Sequence, residues 1–112
     1  MSHIPKEIQV DIPRVDFETI QWQIMAPGAR HRMVERDGKR IRLVELTDLF
    51  IENDWCLKGH VAYLIEGEPE FTFQSGTERL KPGDGFLIRG KVDKHRARVI
   101  SPLARLLLVE DV

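Results

Sequence analysis

The chain consists of short runs of apolar and alternating residues, separated at close intervals by Gly, Pro, Asp and Asn. No long stretch repeats its apolar residues with the 3.6-residue period of a helix. The clearest local signal is Asp37-Gly38 between two strand-like runs, because both residue types accept the positive φ angles that a two-residue hairpin turn needs. This pattern predicts an antiparallel β structure.

Eight segments have the alternation or the apolar content of short strands, and turn residues separate them. They are residues 22–25, 31–35, 40–46, 60–66, 70–74, 85–89, 95–100 and 103–109. On the fourth segment, Ala62 and Leu64 share the side of His60 and are expected to face the interior, whereas Tyr63 points the other way. Many short strands at regular spacing are typical of a sandwich or a barrel.

The 112 residues suit one domain, and 17 basic against 18 acidic side chains give a formal charge of −1. A charge this close to zero, without a basic block, argues against nucleic acid or a membrane surface as a partner. No apolar run approaches the roughly 18 residues of a membrane span, and the N-terminus lacks the apolar core of a secretory signal. The single cysteine, Cys56, cannot form an internal disulfide. We therefore expect a cytoplasmic protein.

Two segments, YLIEGEPEF at residues 63–71 and KPGDGFLI at residues 81–88, together resemble the sequence motifs of the cupin family. The first segment is similar to the end of the first cupin motif, and the second segment is similar to the start of the second motif. The chain resembles a small single-domain cupin with a divergent first metal-binding motif. The resemblance implies an all-β fold: an antiparallel jelly-roll β-barrel at residues 22–112, preceded by an N-terminal arm at residues 1–21.

The metal-binding positions of the two cupin motifs hold an unusual set of residues in this chain. The first motif usually carries His-x-His followed by Glu or Gln, and the second usually ends in a histidine. The corresponding positions here hold Asp54, Cys56 and His60, and the nearest histidine to the last position is His95, one residue late. The resemblance therefore implies a divalent metal ion (zinc, iron or nickel) bound by His60, His95, Cys56 and Asp54.

The same residues can also be interpreted without the family. In an extended segment Asp54, Cys56, Lys58 and His60 would point to one side, and carboxylate, thiolate and imidazole can together hold Zn²⁺ or Fe²⁺. The alternative is that Cys56 is a small buried hydrophobe and that the histidines are hydrogen-bonded structural residues. His31, which stands between two arginines, is expected to face solvent.

The resemblance implies a metal-binding protein that acts on or binds a small molecule in the barrel, with dioxygenase-like or isomerase-like chemistry as the options. The alternatives are a non-catalytic barrel that binds or senses a small ligand without metal, and a purely structural barrel. Whether the protein is an enzyme, and which residues would be catalytic, is left open. Small cupins commonly dimerise, and a short barrel has edges and apolar strands to cover, so we expect a homodimer.

Four arginines could select an acidic molecule if they lined the pocket of such a barrel. They are Arg42, Arg89, Arg96 and Arg98. Pairing with surface glutamates is the expectation for most of them, and such pairs contribute little to stability.

Overall fold

The computed structural model describes residues 13–112, which fold into nine β-strands and include a short 3₁₀ turn at Phe17–Thr19. The strands are β1 (Gln23–Ala26), β2 (Ala29–Arg36), β3 (Lys39–Thr47), β4 (His60–Glu66), β5 (Pro69–Phe73), β6 (Gly76–Arg79), β7 (Gly85–Ile88), β8 (His95–Val99) and β9 (Leu103–Asp111). Every pairing between these strands is antiparallel. Within residues 13–112 no helix is long and apolar enough to cross a membrane.

The strands form two sheets that pack face to face. The large sheet has the order β1-β2-β3-β9-β4-β7, and the small sheet has the order β6-β5-β8. The core lies between them, where Leu64 and Leu106 of the large sheet belong to one buried cluster with Phe71 and Val99 of the small sheet. This all-β, antiparallel jelly roll confirms the fold that the resemblance implied.

The β2–β3 hairpin forms where the Asp-Gly pair predicts it. Asp37 and Gly38 have φ angles of 51° and 77°, as both central residues of a type I′ turn require. In contrast, β6 carries no signal in the sequence, because its four residues are all exposed and none of them is a strong strand former except Thr77. It is an edge strand that forms by pairing with β5.

The turn after β4 carries the chain from the large sheet to the small one and depends on Gly67. This glycine has a φ of 93°, and a Cβ atom there would overlap the carbonyl oxygen of Leu103 and the backbone of Ala104. Only glycine combines that conformation with so close an approach. Steric contacts therefore explain why this turn, which the cupin resemblance includes, has a glycine at position 67.

Alternation on β4 decides which side chains face the interior. His60, Ala62 and Leu64 are buried, whereas Val61 and Tyr63 are about half exposed on the outer face of the large sheet. The predicted orientations of Ala62, Leu64 and Tyr63 are confirmed. His60, the first residue of β4, therefore points into the interior between the sheets.

The segment before β1 contacts the large sheet along β2. The Trp22 ring packs against the guanidinium groups of Arg30 and Arg32, at 4.1 and 4.4 Å from its centroid, and Glu18 pairs with Arg32. Residues 1–12 of the predicted arm lie outside the described residues. The boundary between an arm at 1–21 and a barrel at 22–112 stays a prediction.

Candidate metal centre

Three of the four predicted ligands meet in a cavity between the sheets. The ligand atoms of Cys56, His60 and His95 all lie within 4.8 Å of one another. The two imidazole rings are in edge-to-face contact, with centroids 5.6 Å apart, and both are buried while Cys56 is half-buried. One sulfur and two nitrogen donors at this separation suit a mononuclear Zn²⁺ or Fe²⁺ site.

Backbone pairing places Cys56 directly opposite His95. The Cys56 amide donates to the His95 carbonyl at 2.6 Å, and the His95 amide donates to the Cys56 carbonyl at 3.1 Å. Residues directly opposed across an antiparallel pair project their side chains to the same face. His60 reaches the same space from the first position of β4, so the cluster joins the two sheets.

Asp54 is exposed and lies outside this cluster. The expectation that it shares a face with Cys56 assumed an extended segment, whereas the chain bends at Asp54 and pairs with β8 through isolated bridges at Ile51 and Cys56. Strand alternation therefore does not continue from β4 back to Asp54. Lys58 does line the cavity, from an exposed position at its edge.

Both histidines have their Nδ1 atom beside a hydrogen-bond acceptor. Nδ1 of His60 lies 2.8 Å from Oε2 of Glu110, and Nδ1 of His95 lies 3.0 Å from the carbonyl oxygen of Asp93. These acceptors require a proton on Nδ1, so each neutral ring carries its free lone pair on Nε2. Histidines that bind metal ions usually have their second nitrogen held in this way.

Glu110 connects His60 to a chain of polar side chains that runs from buried Arg42 through half-buried His31 to exposed Gln23. Its Oε1 lies 2.8 Å from Nε of Arg42. Nη1 of Arg42 lies 3.3 Å from Nδ1 of His31. On the other side of the ring, Nε2 of His31 lies 3.3 Å from Oε1 of Gln23. Burial and the charge of Arg42 lower the pKa of His31 to about 4, so its neutral ring accepts from Arg42. The expectation that His31 faces solvent is wrong, because it lies on the inner face of β2 and is half-buried.

The charges of this network shift the pKa values of the site. Burial would raise the pKa of Glu110, but its hydrogen bond with His60 and the charge of Arg42 lower it to about 2. Hydrogen bonds with His60 and His95 lower the pKa of Cys56 to about 5. The bonds with Cys56 also raise the pKa of both histidines, against the effect of burial. At neutral pH Glu110 is therefore ionised and Cys56 is a thiolate, the form that binds metal ions.

The cavity beside the cluster has a volume of about 230 Å³, and both sheets line it. Most of its wall is apolar, formed by Met25, Val44, Leu46, Phe50, Ala62, Phe71, Ile88, Ala97, Leu106 and Leu108. Arg42, Glu52 and Lys58 are the charged side chains on the wall outside the cluster. Glu52 accepts a hydrogen bond from the Ala97 amide at 3.0 Å, and burial raises the pKa of its carboxyl group.

Of the four arginines considered for a pocket, only Arg42 lines this cavity. Arg89 pairs with Asp93 and Arg98 pairs with Glu70 on the surface. Glu52 and Glu110 are site residues that the sequence indicates only weakly. The signal for Glu110 is a carboxylate at the end of the apolar run 103–109, since a charge on a buried face implies a buried partner.

No protein-family model and no curated protein matches the chain. Solved structures do match it. An RmlC-like cupin from Shewanella frigidimarina NCIMB 400 superimposes with a TM-score of 0.73 at 14% identity, over 90% of this chain and 91% of that chain.

Two further solved structures carry functional names. A sugar phosphate isomerase of a cupin superfamily from Silicibacter pomeroyi has a TM-score of 0.68 at 16% identity, over 87% of this chain and 74% of its own. FeII HppE has a TM-score of 0.71 at 10% identity, over 88% of this chain and 60% of its own. At these identities the likeness concerns the fold. The chain has the cupin fold.

Proposed function

We propose that this chain is a cupin-type metal-binding protein that acts on or binds a small molecule in the cavity between its sheets. The observation that carries the proposal is the convergence of the Cys56, His60 and His95 ligand atoms within 4.8 Å at the wall of that cavity. Because Nδ1 of His60 and Nδ1 of His95 each face a hydrogen-bond acceptor, the Nε2 lone pairs of both rings are available to bind an ion. Zinc, iron and nickel are the candidate ions, and Asp54 stays a predicted ligand outside this set of three.

Cys56, His60 and His95 would hold a divalent ion, which would supply Lewis-acid chemistry to the bound molecule. The chain provides the surroundings: apolar walls exclude water, and electrostatic interactions are stronger in such a dry site. Glu110 and the Asp93 carbonyl orient the two histidines. Glu52, whose pKa is raised within the same cavity, is placed to hold or release a proton at the bound molecule.

The name of one structural neighbour, FeII HppE, supports a metal ion in this fold, and the name of another supports isomerase chemistry. Isomerase-like and dioxygenase-like reactions are the two enzymatic options within the proposal. The alternative is a barrel that binds a small ligand without metal. One observation favours it: the ligand atoms of Cys56, His60 and His95 lie within 4.8 Å of one another, so the thiolate and the imidazoles can stabilise each other without an ion.

The first test is elemental analysis of anaerobically purified protein, beside the variants Cys56→Ala, His60→Ala and His95→Ala. We expect near-stoichiometric zinc, iron or nickel in the parent and its loss in all three variants, with folding checked by circular dichroism. Asp48→Ala, at an exposed carboxylate outside the cluster, is the matched control and should keep its metal, and Asp54→Ala tests the predicted fourth ligand. A parent that stays free of metal after reconstitution with each ion would favour the metal-free alternative.

We also propose that two copies of the chain dimerise through the outer face of the large sheet. Val61, Tyr63 and Ile65 on β4 and Leu87 on β7 expose apolar side chains there, and Leu87 is 83% exposed. Monomers rarely leave a contiguous apolar patch open to water, and a two-fold axis lets the same face cover itself. A cytoplasmic location stays a prediction that rests on the single cysteine.

A further inference from the structure

We infer that the molecule bound in the cavity is a compact monoanion with a largely hydrocarbon body, and not a sugar or another polyhydroxylated compound. This inference rests on the proposed function and adds the chemical class of the ligand. It is carried by the size of the cavity, by the chemistry of its wall and by the charges that surround it.

The size of the cavity limits the ligand to a small molecule. Its volume of about 230 Å³ is below the roughly 300–1,000 Å³ that is usual for sites of drug-sized ligands. Buried side chains such as Val44, Leu106 and Phe71 form its wall and belong to the packed core. The cavity therefore cannot enlarge without disturbing the contact between the two sheets.

The chemistry of the wall disfavours a sugar. Among the described residues that line the cavity, none carries a hydroxyl or a primary amide group. The polar groups that do line it are the three metal ligands and three charged side chains, of which Arg42 and Glu52 already have partners. A ligand hydroxyl that leaves water and finds no partner weakens binding by about tenfold or more. A polyhydroxylated ligand would meet this penalty several times.

The charges around the cavity favour one negative charge on the ligand. Arg42 is paired with Glu110, and Lys58 is solvent-exposed at the cavity edge, where water screens its charge. A divalent ion bound with the Cys56 thiolate carries a net charge of +1. One carboxylate, or an oxyanion of similar size, would balance that charge.

Hexanoate and gluconate are a matched pair of probes, because gluconate carries hydroxyl groups along the carbon chain of hexanoate. Calorimetric titration of each into zinc-loaded protein should show that hexanoate binds at least about 100-fold more tightly. Equal affinities, tighter binding of gluconate or no binding of hexanoate would overturn the inference. All three outcomes leave the metal site standing, because metal content is measured separately on the same sample.

A pair of isosteric variants locates the effect. Val44→Thr puts a hydroxyl on the cavity wall and should weaken hexanoate binding severalfold. It should also reduce the ratio between the affinities for hexanoate and gluconate. Val61→Thr makes the same change on the outer face of β4 and should leave both affinities unchanged. Equal effects of the two variants would overturn the assignment of binding to the cavity. The same preference for hexanoate in metal-free protein would support the ligand class and contradict the proposed role of the metal.

Discussion

Replacement of Glu110 by glutamine should both destabilise the fold and weaken metal binding, because this carboxylate serves three partners. Its Oε2 lies 2.8 Å from Nδ1 of His60, and its Oε1 lies 2.8 Å from Nε of Arg42 and 3.4 Å from Nη1 of Arg40. Glutamine keeps the shape of the side chain but not its charge. The guanidinium of Arg42, which is 7% exposed, would then be buried without its counter-ion.

Two estimates of the loss in stability are of similar size. The pKa of Glu110 is about 2 against an ordinary value of 4.5, and at about 1.4 kcal/mol per pKa unit this corresponds to about 3 kcal/mol. Removing one partner of a buried ion pair typically costs about 3–5 kcal/mol. We therefore expect Glu110→Gln to lower the unfolding free energy by about 3 kcal/mol at neutral pH. Loss of the group that orients His60 should lower metal affinity by about 10–100-fold.

Urea unfolding followed by tryptophan fluorescence measures the first quantity, and competition with a chromophoric chelator measures the second. Asp111→Asn is the control, because Asp111 is the next residue of β9 but pairs with Lys39 where both side chains are exposed. We expect the control to match the parent in both assays. A Glu110→Gln variant that also matched the parent would refute the role assigned to the buried network.

The effect of Glu110 should depend on pH in one direction. Because its pKa is lower in the folded than in the unfolded chain, its contribution is complete above about pH 4.5 and is lost as the pH falls towards 2. The difference in unfolding free energy between the parent and Glu110→Gln should shrink over that range. A difference that stayed constant would contradict an origin in the carboxylate charge.

The remaining predictions concern the thiol, a turn and the outer face. Iodoacetamide should alkylate Cys56 of the metal-free protein at a rate that rises through a midpoint near pH 5, and a midpoint in the ordinary range of thiols would contradict the hydrogen bonds assigned to it. Gly67→Ala should cost about 2 kcal/mol or more, whereas Gly38→Ala, where a Cβ meets open space, should cost about 1 kcal/mol; chemical unfolding that gave equal losses would refute the steric argument. Leu87→Lys should convert the proposed dimer into a monomer in light scattering, whereas Leu49→Lys, at a leucine 76% exposed in a loop, should not; a dimer that survived Leu87→Lys would place the interface elsewhere.

Local chemistry in the sequence is enough to predict most of the strands. The Asp37-Gly38 turn and the alternation on β4 are decided by residues that are adjacent in the chain, and the structure has both. The strand β6 escapes prediction because Gly76–Arg79 are polar and exposed, and pairing with β5 rather than their own composition makes them extended. Strand formation at an edge depends on the neighbouring strand.

The candidate site is predictable only in part, since long-range pairing assembles it. Glu110 meets His60 and Arg42 because β9 lies between β3 and β4 in the large sheet, an order that neighbouring residues do not encode. The position of Asp54 relative to the cluster cannot be derived from neighbouring residues either. Alternation is valid only within a strand, and the chain bends at Asp54 before β4 begins. Cys56 is nevertheless brought to the site, because its bridge to His95 restores the pairing locally.

The position of the two histidines in different sheets has a thermodynamic consequence. An ion bound by His60 on β4 and His95 on β8 would cross-link the chain over about 35 residues. In the loop-closure model a cross-link of that length lowers the conformational entropy of the unfolded chain and thereby stabilises the folded state by about 4 kcal/mol. Metal binding would then cross-link the large sheet and the small sheet reversibly. The ion would cross-link two segments as a disulfide does, in a chain whose single cysteine cannot form an internal disulfide.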